Sequence, residues 1–167
     1  MSEGTEQESE KRSQISKAIN HKTNTEMEEH KMTLSARNQF EGKVSAVQEG
    51  SVNGIVTIDV KGTPITATIS MAAIKELGIK AGTPATAVIK ATEVMVGSGD
   101  LKLSARNKFA GKVASVTEGA VNSIVAMDTP AFTITATISN AAVKELGLKA
   151  GSEAVAVVKA TSVMVGC

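Results

Sequence analysis

The chain repeats itself. Leu34-Ser35-Ala36-Arg37-Asn38 recurs 69 residues on as Leu103-Ser104-Ala105-Arg106-Asn107. The same offset carries Gly42-Lys43-Val44 onto Gly111-Lys112-Val113, Ile65–Ser70 onto Ile134–Ser139, Lys75–Gly78 onto Lys144–Gly147 and Lys90-Ala91-Thr92 onto Lys159-Ala160-Thr161. No gap interrupts the register, and roughly two positions in three are identical between 34–97 and 103–166. A duplication constrains the fold before any single element does, because the same supersecondary unit must form twice in one chain. It divides the chain into an extension, 1–32, a first copy, 33–97, a linker, Ser98-Gly99-Asp100-Leu101-Lys102, and a second copy, 103–167. A unit of about 65 residues buries a small core, so it is expected to pack against the second copy or another chain.

Each copy reads mostly as strands. Phe40–Val47 and Val52–Val60 are rich in Val and Ile and flank a turn at Gln48–Ser51. After a second turn at Asp59–Gly62, Ile65, Ala67 and Ile69 alternate with Thr66, Thr68 and Ser70, the period of a strand with one apolar and one hydroxyl face. Ser70 is placed to cap a short helix, Met71–Leu77, that Gly78 ends. Ala85–Ala91 and Val94-Met95-Val96 supply the fourth and fifth strands, the last closing its own copy. The second copy repeats the pattern, with Thr129-Pro130-Ala131 in place of the Lys61-Gly62 turn. The fold class expected is all-β with one short helix per repeat: two tandem five-stranded OB-like barrels.

Residues 1–32 hold seven Glu, five Lys or Arg and both histidines, with few large apolar side chains, and read as a disordered or solvated tail. Met32 stands just before the repeat and is a candidate start of translation. The net charge of +1, the absence of a long apolar run and a polar, acidic N-terminus favour a cytoplasmic protein with no membrane partner. One cysteine, Cys167, excludes an intrachain disulfide and a Cys-cluster metal site. Single-strand nucleic acid binding by small barrels uses aromatic platforms. Three Phe with no Trp or Tyr speak against it, and Phe40 and Phe109 fall at apolar strand positions.

Catalysis finds little support. Outside the tail there is no histidine, no phosphate-loop spacing and no nucleophile–base pair. His21 and His30 are weak candidates for metal ligands. What the repeat retains is a set of hydrogen-bond donors. Ser35 and Arg37 are two apart and share a face of an extended segment; Lys90 and Thr92 do the same around the Ala91 amide. Ser70 adds a hydroxyl at a helix start. Ser104, Arg106, Ser139, Lys159, Ala160 and Thr161 duplicate the set. Donors without acceptors suit an oxyanion that carries no proton at neutral pH, such as molybdate, tungstate or sulfate. The plainer alternative is that Ser35 and Arg37 only tie down a strand start and Lys90 is a surface charge.

The Ser-Ala-Arg-Asn start, together with Val88-Ile89-Lys90-Ala91-Thr92-Glu93-Val94-Met95 and its counterpart Val157–Met164, resembles the molybdate-binding Mop domain of the molbindins, a TOBE-like module. The resemblance spans 33–166 and leaves 1–32 uncovered. It implies a tandem di-domain molbindin: a non-enzymatic protein that stores or buffers molybdate or tungstate at domain or subunit interfaces. It further implies a homo-oligomer, trimer or hexamer, with the anion as ligand, no catalytic cofactor and no metal ligated directly by protein. Carried over by position, the site residues are Ser35, Arg37, Lys90, the Ala91 amide and Thr92, with Ser70 as an addition. In the second copy they are Ser104, Arg106, Lys159, the Ala160 amide and Thr161, with Ser139 as an addition. The helix-turn-helix of the related regulator and the ATPase of the related transporter have no counterpart, so DNA binding is not expected. The competing expectation is a structural or interaction oligomer with vestigial anion sites.

Overall fold

A computed structural model of the chain describes residues 10–12, 14 and 33–167. By Cα packing the chain divides into Met1–Ser35 and Ala36–Cys167. In the first unit, residues 10–12 and 14 are helical and exposed. The candidate start at Met32 and the pair His21 and His30 lie outside the described residues, as does most of the expected tail.

The second unit holds ten strands. The first copy supplies β1 (Asn38–Gln48), β2 (Asn53–Val60), β3 (Thr63–Ser70), helix α1 (Met71–Glu76), β4 (Pro84–Ile89), a 3-10 turn (Ala91–Glu93) and β5 (Met95–Gly97). The second supplies β6 (Asn107–Glu118), β7 (Asn122–Asp128), β8 (Thr133–Ser139), helix α2 (Asn140–Glu145), β9 (Glu153–Val158), a 3-10 turn (Ala160–Ser162) and β10 (Met164–Gly166). The period-two pattern turns Val56, Ile58 and Val60 of β2, and Ile65 and Ala67 of β3, into the core. β1 serves two neighbours: Asn38–Lys43 pair with β4, and Lys43–Gln48 pair with β2. A bulge between Val44 and Ala46 interrupts the pairing with β2 just past this handover. Here Gly42 is needed, because a Cβ would overlap the Asp59 carbonyl on the neighbouring strand.

The fifth strand corrects the sequence reading. Val94-Met95-Val96 does not close its own copy. β5 pairs antiparallel with β9 of the second copy, Met95 opposite Val157, and β10 pairs with β4 of the first, Met164 opposite Val88. The two sheets therefore run β10-β4-β1-β2-β3 and β5-β9-β6-β7-β8. Both terminal strands read Met-Val-Gly, so β4 and β9 would accept either one. Exchange has the advantage that each small unit buries surface against the other, and one apolar cluster contains side chains of both copies.

A second device ties the copies together. Asn38 is 1% exposed and Asn107 2%. Asn38 Nδ2 donates to the Thr135 carbonyl at 2.8 Å, and Asn38 Oδ1 accepts the Thr135 N–H at 2.8 Å. Asn107 does the same to Thr66, again at 2.8 Å in both directions. Each carboxamide thus imitates one residue of a neighbouring strand and satisfies a peptide group on the outer edge of β3 or β8. The third buried polar residue, Ser123, donates to Asn140 Oδ1 at 2.6 Å. Among the described residues no buried side-chain N or O lacks a partner.

Replacing Asn107 by Ala leaves both peptide groups of Thr66 without their partner. At about 1–3 kcal/mol for each buried group left unsatisfied, urea unfolding of Asn107→Ala is expected to show a loss of at least about 1 kcal/mol. An unchanged midpoint would show that the carboxamide is dispensable.

Candidate functional site

The residues singled out in the second copy come from two places in the fold. After β9, Lys159 (φ −67°, ψ 139°) leads into the 3-10 turn, where the Ser162 N–H donates to the Lys159 carbonyl at 2.9 Å and the Val163 N–H to Ala160 O at 3.3 Å. The N–H groups of Ala160 and Thr161 come before Ser162, the first donor within the turn, as at any helical start. Ala160 is buried and seats the turn, while Lys159 and Thr161 face outward. Lys159 keeps the expected extended backbone, but Ala160 and Thr161 lie in a turn, because the chain must leave β9 and cross to the other copy. Ser104 and Arg106 sit on two bends just before β6, not on a strand. Their anchor is the next residue, Asn107, pinned to β3 through the Thr66 peptide groups.

These segments converge on one cleft of about 360 Å³. The second copy lines it with Leu103, Ser104, Ala105, Arg106, Lys159, Ala160 and Thr161; the first copy adds Thr68 and Met95. All five residues placed in the second-copy site, Ser139 apart, thus meet in one concavity. Thr68 and Met95 went unnoticed in the sequence. Thr68 carried a signal, since it lies on the hydroxyl face of the β3 alternation. Met95 arrives through strand exchange, which no local pattern announces.

The electrostatics are one-sided. The lining carries a guanidinium and an ammonium, hydroxyls from Ser104, Thr161 and Thr68, and no carboxylate. A hollow of about 570 Å³ elsewhere on the second copy is lined by Lys112 together with Glu153, amid Gly99, Ala110, Gly111, Pro130, Ala154 and Val155. Its opposite charges give no preference for an anion.

The first-copy residues have the same local settings where described. Arg37 lies on the bend before β1, and Lys90 (φ −67°, ψ 138°) leads into the turn that holds buried Ala91 and exposed Thr92. Ser35 is exposed and belongs to the Met1–Ser35 unit. Ser70 and Ser139 are helix caps: their hydroxyl oxygens accept the N–H of Ala73 and Ala142, each at 3.1 Å. Ser139 is not part of the cleft lining. Each of these serines still has its own O–H proton to donate.

Phe40 and Phe109 are core residues, and both rings contact Phe132, so none of the three stands as an open stacking platform. Among the described residues no group of three His, Cys, Asp or Glu could hold a metal ion, and no helix is long and apolar enough to cross a membrane. Because the Ser139 oxygen accepts the Ala142 N–H, Ser139→Ala is expected to lower stability by about 1 kcal/mol, measured by thermal or urea unfolding. No loss would mean that α2 is capped by other means.

The TOBE domain model matches residues 34–96 and again 103–165. The molybdenum transport protein ModE of Herbaspirillum seropedicae is 41% identical over 138 residues, covering 80% of this chain and 51% of that protein. The chain thus spans about half the length of this relative. The probable molybdenum-pterin-binding protein of Haemophilus influenzae is 54% identical over 67 residues, 40% of this chain and 97% of that protein. A crystal structure of the cytoplasmic molybdate-binding protein ModG, with molybdate bound, matches with a TM-score of 0.78 and 40% identity. That match covers 81% of this chain and 99% of ModG.

Proposed function

This chain belongs to the TOBE-domain family, carrying the domain twice in tandem, and from that membership we propose that it binds molybdate, and tungstate by the same chemistry, as a store or buffer of the anion. The observation that carries this reading is the cleft at Arg106 and Lys159, furnished with cations, hydroxyls and an amide-bearing turn but with no carboxylate. Molybdate is a dianion without a proton at neutral pH, so every one of its oxygens is an acceptor. A lining of donors alone matches it, and an inward-facing carboxylate would repel it. Arg106 and Lys159 offset the two charges. Ser104, Thr161 and the N–H groups at the start of the turn replace the hydration shell. The names of the relatives, molybdenum-pterin-binding and molybdate-binding proteins, agree with this ligand.

By the repeat, Arg37, Lys90, the Ala91 amide and Thr92 form the corresponding donor set of the first copy, while Ser70 and Ser139 serve as helix caps. The protein does no chemistry on the anion: it holds and releases it. We place it in the cytoplasm, as ModG is described, and as a homo-oligomer, trimer or hexamer, whose further interfaces complete the sites. Binding to the folded form alone stabilises it by RT ln(1 + [L]/Kd) and so raises the melting temperature, and a site completed by a further interface links ligand to assembly.

Calorimetry of molybdate binding tests this directly. Losing one hydrogen bond to a charged group costs about 1.5–3 kcal/mol, so Arg106→Ala or Lys159→Ala should weaken binding about 10- to 100-fold. Both side chains are exposed, so the melting temperature without ligand should stay near that of the parent. Equal affinity in variant and parent rejects the assignment.

A further inference from the structure

Where the two copies interlock, equivalent positions of the repeat meet one another. Glu93 and Ser162 are the same repeat position, and the Ser162 hydroxyl donates to Glu93 Oε2 at 2.9 Å. Phe40 and Phe109 also share a repeat position, and both touch a single third ring. Phe132 stacks on Phe40 with centroids 4.1 Å apart at 22°, and meets Phe109 edge-on at 5.1 Å and 82°. The first-copy counterpart of Phe132 is Thr63. Contact between equivalent positions places a local twofold relation between them, and the sequence breaks that symmetry at both places.

The break at Phe132 is built by the loop that carries it. Residues 60–64 and 129–133 differ at every position, the longest run of differences between the copies. In the first copy Lys61 (φ 49°) and Gly62 (φ 87°) form a two-residue hairpin turn between the paired Val60 and Thr63. In the second copy the segment Thr129–Phe132 is a loop, tied by Thr129 N to Phe132 O at 2.9 Å and Thr129 Oγ1 to Phe132 O at 2.7 Å. Its Ala131 is buried, and Phe132 is aimed at the Phe40–Phe109 junction.

The alternatives can be assembled from these residues. A first copy paired with another first copy sets Glu93 against Glu93 and offers two Thr63, leaving the seat between the Phe40 rings unfilled. A second copy paired with another second copy brings two Phe132 rings to a junction that here holds one. Only unlike copies supply one ring, one small residue, and one donor facing one carboxylate. We propose that the junction face of each copy is a recognition surface whose partner is the other copy, in the same chain or in a second chain of this protein, and that like copies reject one another. Underfilling and overfilling of a packed seat are both unfavourable, and so is the meeting of two carboxylates. The consequence reaches the cleft: this pairing rule brings Thr68 and Met95 of one copy to Arg106 and Lys159 of the other.

Reciprocal exchange in the full chain tests this without any ligand. One variant has Val60→Thr, Lys61→Pro, Gly62→Ala and Thr63→Phe, giving two rings. A second has Thr129→Val, Pro130→Lys, Ala131→Gly and Phe132→Thr, giving none. A third carries all eight changes, moving the single ring to the other copy. The first two should each melt several degrees below the parent, and the third should melt above both. Ser162→Glu should likewise lower the melting temperature, and adding Glu93→Ser should restore it. If the eightfold exchange melts no higher than the worse of its halves, or the reversed Ser–Glu pair no higher than Ser162→Glu alone, the proposal falls. Should the eightfold variant not fold, the Glu93–Ser162 reversal decides.

Discussion

The structure depends on closing a sheet edge that a single copy cannot close. Five short strands leave the outer edge of β3 or β8 with peptide groups that would otherwise meet only solvent or another chain. The molecule covers each of these edges with a carboxamide of the opposite copy, and covers the other edge of each sheet, at β4 or β9, with a three-residue strand from that copy. Asn107 pins Thr66 and Asn38 pins Thr135, while β5 and β10 cross to the sheets of their neighbours. None of these contacts exists within one copy, so the core of Ala36–Cys167 is shared.

The cleft follows from the same devices. Arg106 immediately precedes the pinned Asn107, so the guanidinium starts from a fixed backbone although its side chain is exposed. Lys159, Ala160 and Thr161 occupy the turn by which the chain leaves β9 on its way across, and buried Ala160 holds that turn in place. The segments that carry the donors are thus the segments that make the crossing. A ligand held here reports on the interlock, and loss of the interlock removes Thr68 and Met95 from the wall.

Much of this was legible in the sequence, and the part that was not has a common cause. Alternation of Ile65, Ala67 and Ile69 with hydroxyl residues located β3, the Val- and Ile-rich runs located β1 and β2, and Ser70 marked the cap of α1. Each is a local signal read within a few residues. The donor set was visible because the repeat displays it twice, although Ser104 and Arg106 lie on bends and Ala160 and Thr161 in a turn instead of extended backbone. Strand exchange was not legible: the Met-Val-Gly of β5 and β10 is identical, so composition cannot say which neighbour each joins. The clamp of Asn107 was hidden for a related reason. An asparagine at a strand start reads as a poor strand former, and only the distant edge of β3 explains its burial.

The central claim is that interlocking of the copies creates a donor-only cleft that holds a tetrahedral dianion. The most direct measurement is a crystal structure of the protein grown with molybdate, with data collected to locate molybdenum by its anomalous scattering. The account predicts a molybdenum peak in the cleft between Arg106 and Lys159, its oxygens within hydrogen-bond distance of the turn at Ala160 and Thr161. A cleft without that peak, or an anion seated only at unrelated surface lysines, would contradict it.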